Sequence, residues 1–130
     1  MNSFSDLGLS TPILKALQDL GFEKPSEIQD QAIPQLLDKA QDFIGLAQTG
    51  TGKTAAFGLP LLQRIDSQNK STQALILAPT RELGQQIAEQ LALYSRYLDK
   101  INVLPVYGGA AISNQIKDLK KPQQVVIATP

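Results

Sequence analysis

The stretch Ala47-Gln48-Thr49-Gly50-Thr51-Gly52-Lys53-Thr54 decides the fold of this chain, because it has the composition of a loop that holds phosphate. An apolar run at residues 43–47 precedes the loop, and residues 55–59 follow as a segment that can continue as a helix. A strand, a glycine-rich loop and a helix in this order place backbone N–H groups and the positive end of a helix dipole around one anion. The sequence therefore predicts binding of a nucleoside triphosphate.

Four residues of the loop have a chemical role in binding phosphate. Gly50 and Gly52 let the backbone turn tightly and bring its N–H groups close to phosphate oxygens. Lys53 supplies an ammonium group for the β- and γ-phosphates, and the Thr54 hydroxyl can ligate Mg²⁺. Position 47 is Ala, where the general phosphate-binding loop (P-loop) has Gly, so we interpret the stretch as a variant P-loop. The alternative is a turn rich in Gly and Thr that carries a surface lysine.

Composition excludes several functional classes. The length of 130 residues suits one domain, and 12 basic residues balance 12 acidic ones, so net charge steers the chain neither to nucleic acid nor to a membrane. The absence of Cys and His removes thiol catalysis, disulfides, imidazole bases and the usual zinc ligands. There is no signal peptide pattern, and no apolar run approaches the roughly 20 residues of a membrane-spanning helix. We expect a cytoplasmic protein with no membrane contact.

Apolar runs alternate with amphipathic segments along the chain, which is typical of the α/β class with a parallel sheet and flanking helices. Strands are predicted at residues 42–47, 74–78, 102–106 and 124–128, and helices at residues 11–20, 27–40, 53–67, 81–98 and 113–119. The strand at residues 74–78 is almost entirely aliphatic, as expected for a strand buried on both faces.

Four helix boundaries carry clear local signals. Ser10-Thr11-Pro12 opens the first helix, and Gly21 ends it. Ser26 with Gln29 three residues later forms a capping box for the second helix. Thr80 is the expected N-cap of the helix that begins at residue 81.

Several segments together resemble one family. They are residues 21–29 (Gly-Phe-Glu-Lys-Pro-Ser-Glu-Ile-Gln), residues 47–54 including Ala47, residues 79–83 (Pro-Thr-Arg-Glu-Leu), the pair Gly108-Gly109, and Thr129-Pro130. In this order they resemble the Q motif, motif I, motif Ia, the glycine pair and the first half of motif Ib of DEAD-box ATP-dependent RNA helicases. Phe4 lies seventeen positions before Gly21, where that family places an isolated aromatic residue. The resemblance covers essentially the whole chain and implies part of the first RecA-like domain.

The resemblance implies a site for ATP or ADP with Mg²⁺. The Gln29 amide offers a donor and an acceptor that match N6 and N7 of adenine, although helix capping alone would also explain it. Phe22 either stacks on the base or packs between helices. Phe4 either takes part in the nucleotide site with Phe22 or attaches the N-terminal segment to the domain. The expected nucleotide-binding residues are Phe4, Phe22, Lys24, Gln29, Gln48, Thr49, Gly50, Thr51, Gly52, Lys53 and Thr54. Among them Lys53 and Thr54 are the expected catalytic residues, and Thr54 is the expected metal ligand.

The resemblance also implies contacts with single-stranded or duplex RNA. Backbone N–H groups at the start of the helix at residue 81 suit phosphate oxygens, and Arg81 either contributes to them or holds the loop through an internal contact. Gly108-Gly109 is either a simple turn or a point of close approach to RNA. Such grooves contact backbone and shape, so little sequence specificity is expected. The expected RNA-binding residues are Pro79, Thr80, Arg81, Gly108, Gly109, Thr129 and Pro130.

The Asp-Glu-Ala-Asp of the family's motif II does not occur in these 130 residues, and neither does its second RecA-like domain. We therefore expect the chain to bind adenine nucleotide without appreciable hydrolysis, as a piece of a longer helicase that unwinds short RNA duplexes. Residues 1–40 form the expected helical segment with the Q motif, and residues 41–130 the expected partial RecA-like domain. Alternatives are an unrelated P-loop ATPase and a stand-alone nucleotide-binding module. Protein partners stay unknown.

Overall fold

A computed structural model describes residues 2–39 and 41–130. Within these residues a 3₁₀ helix is followed by five α-helices and three strands, and the predicted α/β class is confirmed. In chain order they are the 3₁₀ helix Phe4–Leu7, α1 Thr11–Asp19, α2 Glu27–Asp38, α3 Lys53–Arg64, β1 Ala74–Leu77, α4 Arg81–Tyr94, β2 Val103–Val106, α5 Ile112–Leu119 and β3 Val125–Ala128. They form two compact units, here called the first unit (Met1–Arg64 with Tyr94–Leu98) and the second unit (Ile65–Leu93 with Asp99–Pro130). The predicted division at residue 40 stays a prediction.

The first unit is a cluster of helices around an aliphatic core. Its most deeply buried side chains come from α1, α2 and α3, and they include Ile13, Leu17, Ile33, Leu59 and Leu62. The Gln63 amide accepts a hydrogen bond from Ser10 N at 2.7 Å and donates one to Gly8 O at 3.0 Å. Polar bonds at the rim thus fix how the end of α3 meets the start of α1.

The predicted start and end of α1 are confirmed. Ser10 is its N-cap, Pro12 lies in its first turn, and Gly21 follows its last residues with a φ of 80°. Gly21 N donates to Gln18 O at 3.1 Å, and Phe22 N donates to Leu17 O at 3.0 Å. These two bonds form a Schellman motif, which a glycine in the left-handed region makes possible.

The second unit holds a parallel three-stranded sheet in the order β1-β3-β2. Leu77 and Val106 both pair with Ala128, so the carboxyl ends of all three strands lie at one edge. Pro105 lies in β2, which is an edge strand, as expected for a residue without a backbone donor. The carbonyl of Asn102 accepts from Val125 N, so by the two-residue period of a strand the Pro105 nitrogen faces away from β3.

One face of the sheet packs against α4. Ile87 and Leu91 of α4 are buried, as are Val125 and Ile127 of β3. A Cβ atom added to Gly84 would lie 3.6 Å from Ile127 Cγ2, which is ordinary van der Waals contact. The helix therefore lies close to the sheet at Gly84, without crowding there.

Two predictions about strands are wrong. Residues 41–48 form no regular structure, and Ile44 and Leu46 are 89% and 91% exposed. A parallel strand needs a neighbour for its backbone hydrogen bonds, and the three strands of the described residues pair only with one another. The second error concerns β1, which is not buried on both faces. Leu75 and Leu77 are each 63% exposed, because α4 covers only the face on which Ile76 lies.

Element ends differ by a few residues from the prediction. Helix α3 ends at Arg64, and α4 ends at Tyr94. The predicted end of α2 at Ala40 lies outside the described residues, and the helix is seen to Asp38. Among residues 2–39 and 41–130, no helix combines the length and the apolar character that crossing a membrane would require.

Replacing Gly84 with Ala should stabilise the chain by about 1 kcal/mol, because Ala restricts the unfolded backbone and favours the helix interior. The added methyl group would make ordinary contacts with Ile127 and Ala78. Urea unfolding followed by circular dichroism measures the change in free energy of unfolding. Gln86→Ala, at an exposed position of α4, is the matched control and should change it by no more than a few tenths of a kcal/mol. A destabilised Gly84→Ala variant would contradict the packing described here.

Candidate functional site

The P-loop has the open, curved backbone that phosphate binding requires. Gly50 and Gly52 have φ values of 83° and 81°, in the left-handed region that favours glycine. The Thr51 hydroxyl donates to Gln48 O at 2.6 Å and closes the turn. A Cβ added to Gly50 would meet nothing within 4 Å, so the tip of the loop borders open space.

The start of α3 concentrates positive potential at this loop. Ala56 N donates to Gly52 O, which is the first bond of the helix, so the N–H groups of Lys53 and Thr54 have no acceptor within the helix. The Lys53 side chain is exposed, and among the described residues no carboxylate lies within ion-pair distance of it. Both features favour an anion at this point.

The residues present fit Mg²⁺ only together with phosphate. Thr54 offers a hydroxyl oxygen at the start of α3. Within the described parts of the chain, no three acidic, Cys or His side chains come together as a metal site. Mg²⁺ commonly takes one or two protein ligands and completes its shell with phosphate oxygens and water, so one hydroxyl beside a phosphate loop is consistent with it.

Gln29 joins the start of α2 to the P-loop. Its Oε1 accepts from Ser26 N at 2.9 Å, and its backbone N donates to Ser26 Oγ at 3.4 Å, which confirms the predicted capping box. Its Nε2 donates to Gly52 O at 3.1 Å. A side chain at position 52 would displace this amide, and the φ of 81° independently favours glycine there. Gln29 is thus a cap and a tether at once, while its contact with adenine stays a prediction.

The cleft beside Gln29 is shared by the two predicted motifs. It has a volume of about 370 Å³, and α2 and the P-loop segment both line it. Its lining residues are Ser26, Glu27, Ile28, Gln31, Leu46, Ala47, Gln48 and Thr51. Segments separated by some twenty residues in the sequence therefore border one concave surface.

Phe22 lies in a row of three aromatic rings. Its centroid is 5.8 Å from that of Phe4 and 5.9 Å from that of Tyr94. Phe4 is only 5% exposed, so it holds the N-terminal segment to the first unit. Burial raises the pKa of the Tyr94 phenol. Phe22 therefore has the packing role that was one of its two predicted roles, and its stacking on a base stays a prediction.

The side chain of Lys24, two residues after Phe22, is exposed.

The second unit gathers the segments predicted to contact RNA. Pro79-Thr80, Gly108-Gly109 and Thr129-Pro130 each follow the carboxyl end of a strand, and these ends lie at one edge of the sheet. Leu83 N donates to Thr80 Oγ1 at 3.2 Å, which confirms Thr80 as the N-cap of α4. Ligands of open parallel sheets bind beyond such strand ends.

Tyr107, which the sequence analysis did not single out, lies next to the glycine pair and contacts Arg81. The Arg81 guanidinium lies over the Tyr107 ring, with Cζ 4.6 Å from the centroid. Gly109 has a φ of 85°, and a Cβ added there would lie 3.4 Å from Arg81 Nη1. A Cβ added to Gly108 would meet nothing within 4 Å. An aromatic residue between a strand and a glycine pair was the available signal for Tyr107.

A groove of about 350 Å³ also opens at this edge of the sheet. Gly108, Thr129 and Pro130 line it together with apolar side chains of α5. Pro79, Thr80 and Arg81 are not among its lining residues. The predicted RNA-binding residues therefore divide between this groove and the start of α4.

Comparison with known proteins decides the family. Residues 26–130 match the family model described as DEAD/DEAH box helicase. The chain belongs to the DEAD/DEAH box helicase family. The resemblance found in the sequence is thereby confirmed for the DEAD-box family.

Relatives of this DEAD-box chain are similar over its whole length. ATP-dependent RNA helicase DeaD of Escherichia coli (strain K12) is 52% identical over 128 residues, which are 98% of this chain and 20% of the relative. The crystal structure of a DEAD box protein from the hyperthermophile Methanococcus jannaschii has a TM-score of 0.92 and 40% identity, covering 98% of this chain and 34% of that one. S. cerevisiae Dbp5 bound to RNA and ADP BeF3 has a TM-score of 0.88 and 37% identity, covering 100% of this chain and 32% of that one. The predicted RecA-like fold is confirmed, and the chain spans about a fifth of the E. coli relative.

Gln29→Ala should lower the free energy of unfolding by about 1–2 kcal/mol, because it removes the bonds to Ser26 N and Gly52 O from a buried position. Urea unfolding without nucleotide measures the loss. Gln31→Ala, two residues along the same helix at an exposed position, is the control and should change stability little. Equal stability of the two variants would show that the tether to Gly52 contributes nothing.

Proposed function

We propose that the chain is the part of an ATP-dependent RNA helicase that binds the adenine nucleotide. The observation that carries this proposal is the Gln29 amide, which bonds at once to the start of α2 and to the Gly52 carbonyl of the P-loop. A side chain able to distinguish a base is thereby fixed to the loop suited to the phosphates. The support is geometric and chemical, and it agrees with the names of the relatives.

The hydrogen bonds of Gln29 within the chain leave part of the bonding capacity of its amide unused. An amide oxygen has two lone pairs and an amide nitrogen two hydrogens, and each atom uses one of them within the chain. Oε1 can therefore accept from adenine N6, while Nε2 donates to N7. Guanine presents the acceptor O6 where adenine presents N6–H₂, so it would place two acceptors together. The existing bonds hold the amide in one orientation, which favours adenine.

The phosphates would lie in the P-loop at the start of α3. Backbone N–H groups around Gly50 and Gly52 would donate to them, and Lys53 would supply the nearest positive charge. Mg²⁺ would be held by Thr54, and when bound it neutralises phosphate charge.

RNA would contact the second unit at the carboxyl edge of the sheet. Thr80 and Arg81 at the start of α4 and the open backbone at Gly108 are groups suited to phosphate oxygens. The proposed binding is therefore to the RNA backbone, without sequence preference.

The longer protein would use ATP to separate short RNA duplexes, a proposal that agrees with the name ATP-dependent RNA helicase of its relatives. Phosphoryl transfer to water needs a residue that orients the attacking water and groups that stabilise the charge of the transition state. The P-loop would supply some of the groups that stabilise the charge of the transition state. The present residues are thus proposed to bind nucleotide, and hydrolysis is assigned to the longer protein.

Isothermal titration of the chain with Mg-ADP and with Mg-GDP should show a preference for ADP. Lys53→Ala should weaken ADP binding at least about tenfold, because it removes a charge-assisted contact to phosphate. Gln29→Ala should reduce the preference for ADP over GDP and leave the P-loop contribution in place.

The matched control is Lys39→Ala, which removes an exposed lysine of the first unit outside the P-loop. Its affinity for ADP should equal that of the unchanged chain. Equal affinity of the chain for ADP and GDP would contradict base recognition by Gln29, and an unchanged affinity in Lys53→Ala would contradict the P-loop site.

A second prediction concerns turnover. The chain with ATP, Mg²⁺ and single-stranded RNA should release phosphate no faster than the Lys53→Ala variant, because the hydrolytic carboxylates of the family do not occur in it. A coupled phosphate-release assay measures this rate. Release near the enzyme median of about 10 s⁻¹, abolished by Lys53→Ala, would show that these residues hydrolyse ATP on their own.

A further inference from the structure

The side chain of Tyr107 is held by two residues of α4. The Arg81 guanidinium lies over its ring at 4.6 Å, and Gln85 Nε2 donates to the Tyr107 hydroxyl at 3.2 Å. Arg81 and Gln85 are four residues apart, so both project from the same face of the helix. The Tyr107 side chain thus reaches from the loop that follows β2 to the first turn of α4.

The backbone of Tyr107 is held by α5. Gln115 Oε1 accepts from Tyr107 N at 2.9 Å, and Gln115 Nε2 donates to Tyr107 O at 3.0 Å and to Ala110 O at 3.4 Å. One half-buried amide therefore spans the loop that contains Gly108 and Gly109. The ring position is fixed from both sides, by α4 and by α5.

The Arg81 guanidinium has no carboxylate partner in the part of the chain that the structure describes. Among residues 2–39 and 41–130, no carboxylate lies within ion-pair distance of its guanidinium, and its side chain is exposed. Stacking on a ring uses the flat face of a guanidinium and leaves the N–H groups at its edge available. Those N–H groups lie beside Gly109, next to the open backbone of Gly108.

We propose that Tyr107 is a positioning residue, which holds the Arg81 guanidinium where it can contact a phosphate of the RNA backbone, and that Gln115 fixes Tyr107 for this purpose. The inference rests on the proposed RNA contact of the second unit and adds the residues that pre-organise it. A free arginine side chain loses rotamer freedom when it binds, whereas an arginine already stacked on a fixed ring loses less. Tyr107 therefore acts through Arg81 and needs no contact with RNA of its own.

Nuclear magnetic resonance titration of the chain with a single-stranded oligouridylate tests this inference. Tyr107→Leu removes the ring and should weaken RNA binding about two- to fivefold, the range of an exposed cation–π contact. Tyr107→Phe keeps the ring and should bind within about twofold of the unchanged chain. Gln115→Met frees the loop without touching the ring and should weaken binding in the same direction as Tyr107→Leu.

The dependence on Arg81 separates positioning from mere structural support. Arg81→Gln should weaken binding and reduce the slope of log K against log salt by about 0.7, the contribution of one phosphate contact on a single strand. In the Arg81→Gln background, Tyr107→Leu should have no further effect. In the free chain, the Arg81 Nε–H signal should carry a ring-current shift that Tyr107→Leu removes and Tyr107→Phe retains.

The matched control is Tyr97→Leu, because the Tyr97 ring also lies against cations, with Lys15 Nζ at 4.4 Å, but in the first unit. Its RNA affinity should be unchanged. Equal RNA affinity of Tyr107→Leu and the unchanged chain, or an equal loss with and without Arg81, would overturn the role of Tyr107 and leave the RNA site standing. Absence of RNA-induced shifts around residues 80–84 and 108–109 in the unchanged chain would overturn the proposed RNA contact together with this inference.

Discussion

The geometry of the first unit depends on one buried amide. Gln29 is 5% exposed, so its donor and acceptor must be hydrogen-bonded within the chain or cost the free energy of their lost hydration. Ser26 N and Gly52 O meet that requirement, and in doing so they fix the distance between the start of α2 and the end of the P-loop. A side chain at position 52 would displace the Gln29 amide and break this contact. A single polar group thus links two segments that lie more than twenty positions apart in the sequence.

A comparable constraint operates in the second unit, but on a loop instead of a helix end. The order β1-β3-β2 brings the residues after three strands to one edge, although they lie far apart in the sequence. Tyr107 links the loop after β2 to two helices, because its ring contacts Arg81 of α4 and its backbone bonds to Gln115 of α5. In both units, a side chain from one segment determines the conformation of another segment that is suited to phosphate.

Sequence reasoning succeeded where the cause is local. The end of α1 follows from Gly21, and the start of α2 follows from the capping box of Ser26 and Gln29. The bonds at these two positions reach only three to five residues along the chain. The order of helices and the class were also predictable, since apolar periodicity follows each element. It failed at residues 42–47, because a strand exists only with a partner, and the apolar pattern contains no information about the partner.

The same limit explains what was missed in the candidate site. Gln29 was identified, but its bond to Gly52 depends on how α2 lies against α3. Tyr107 lies over Arg81 only because β2 and β1 both flank β3, a relation that spacing along the chain does not encode. The motifs predict residues that would touch a ligand, whereas the residues that orient them are seen only in the contacts of the folded chain.

Pro105 makes the two outer edges of the sheet different. Its nitrogen faces the outer edge of β2 and has no hydrogen to donate, so a strand added there would leave one ladder bond unmade. The outer edge of β1 contains no proline, and the exposed Leu75 and Leu77 lie beside it. Lateral extension of this sheet, whether by another part of a longer chain or by self-association, is therefore favoured at β1 and opposed at β2. A single proline thus makes the two outer edges of the sheet unequal as places where a further strand can pair.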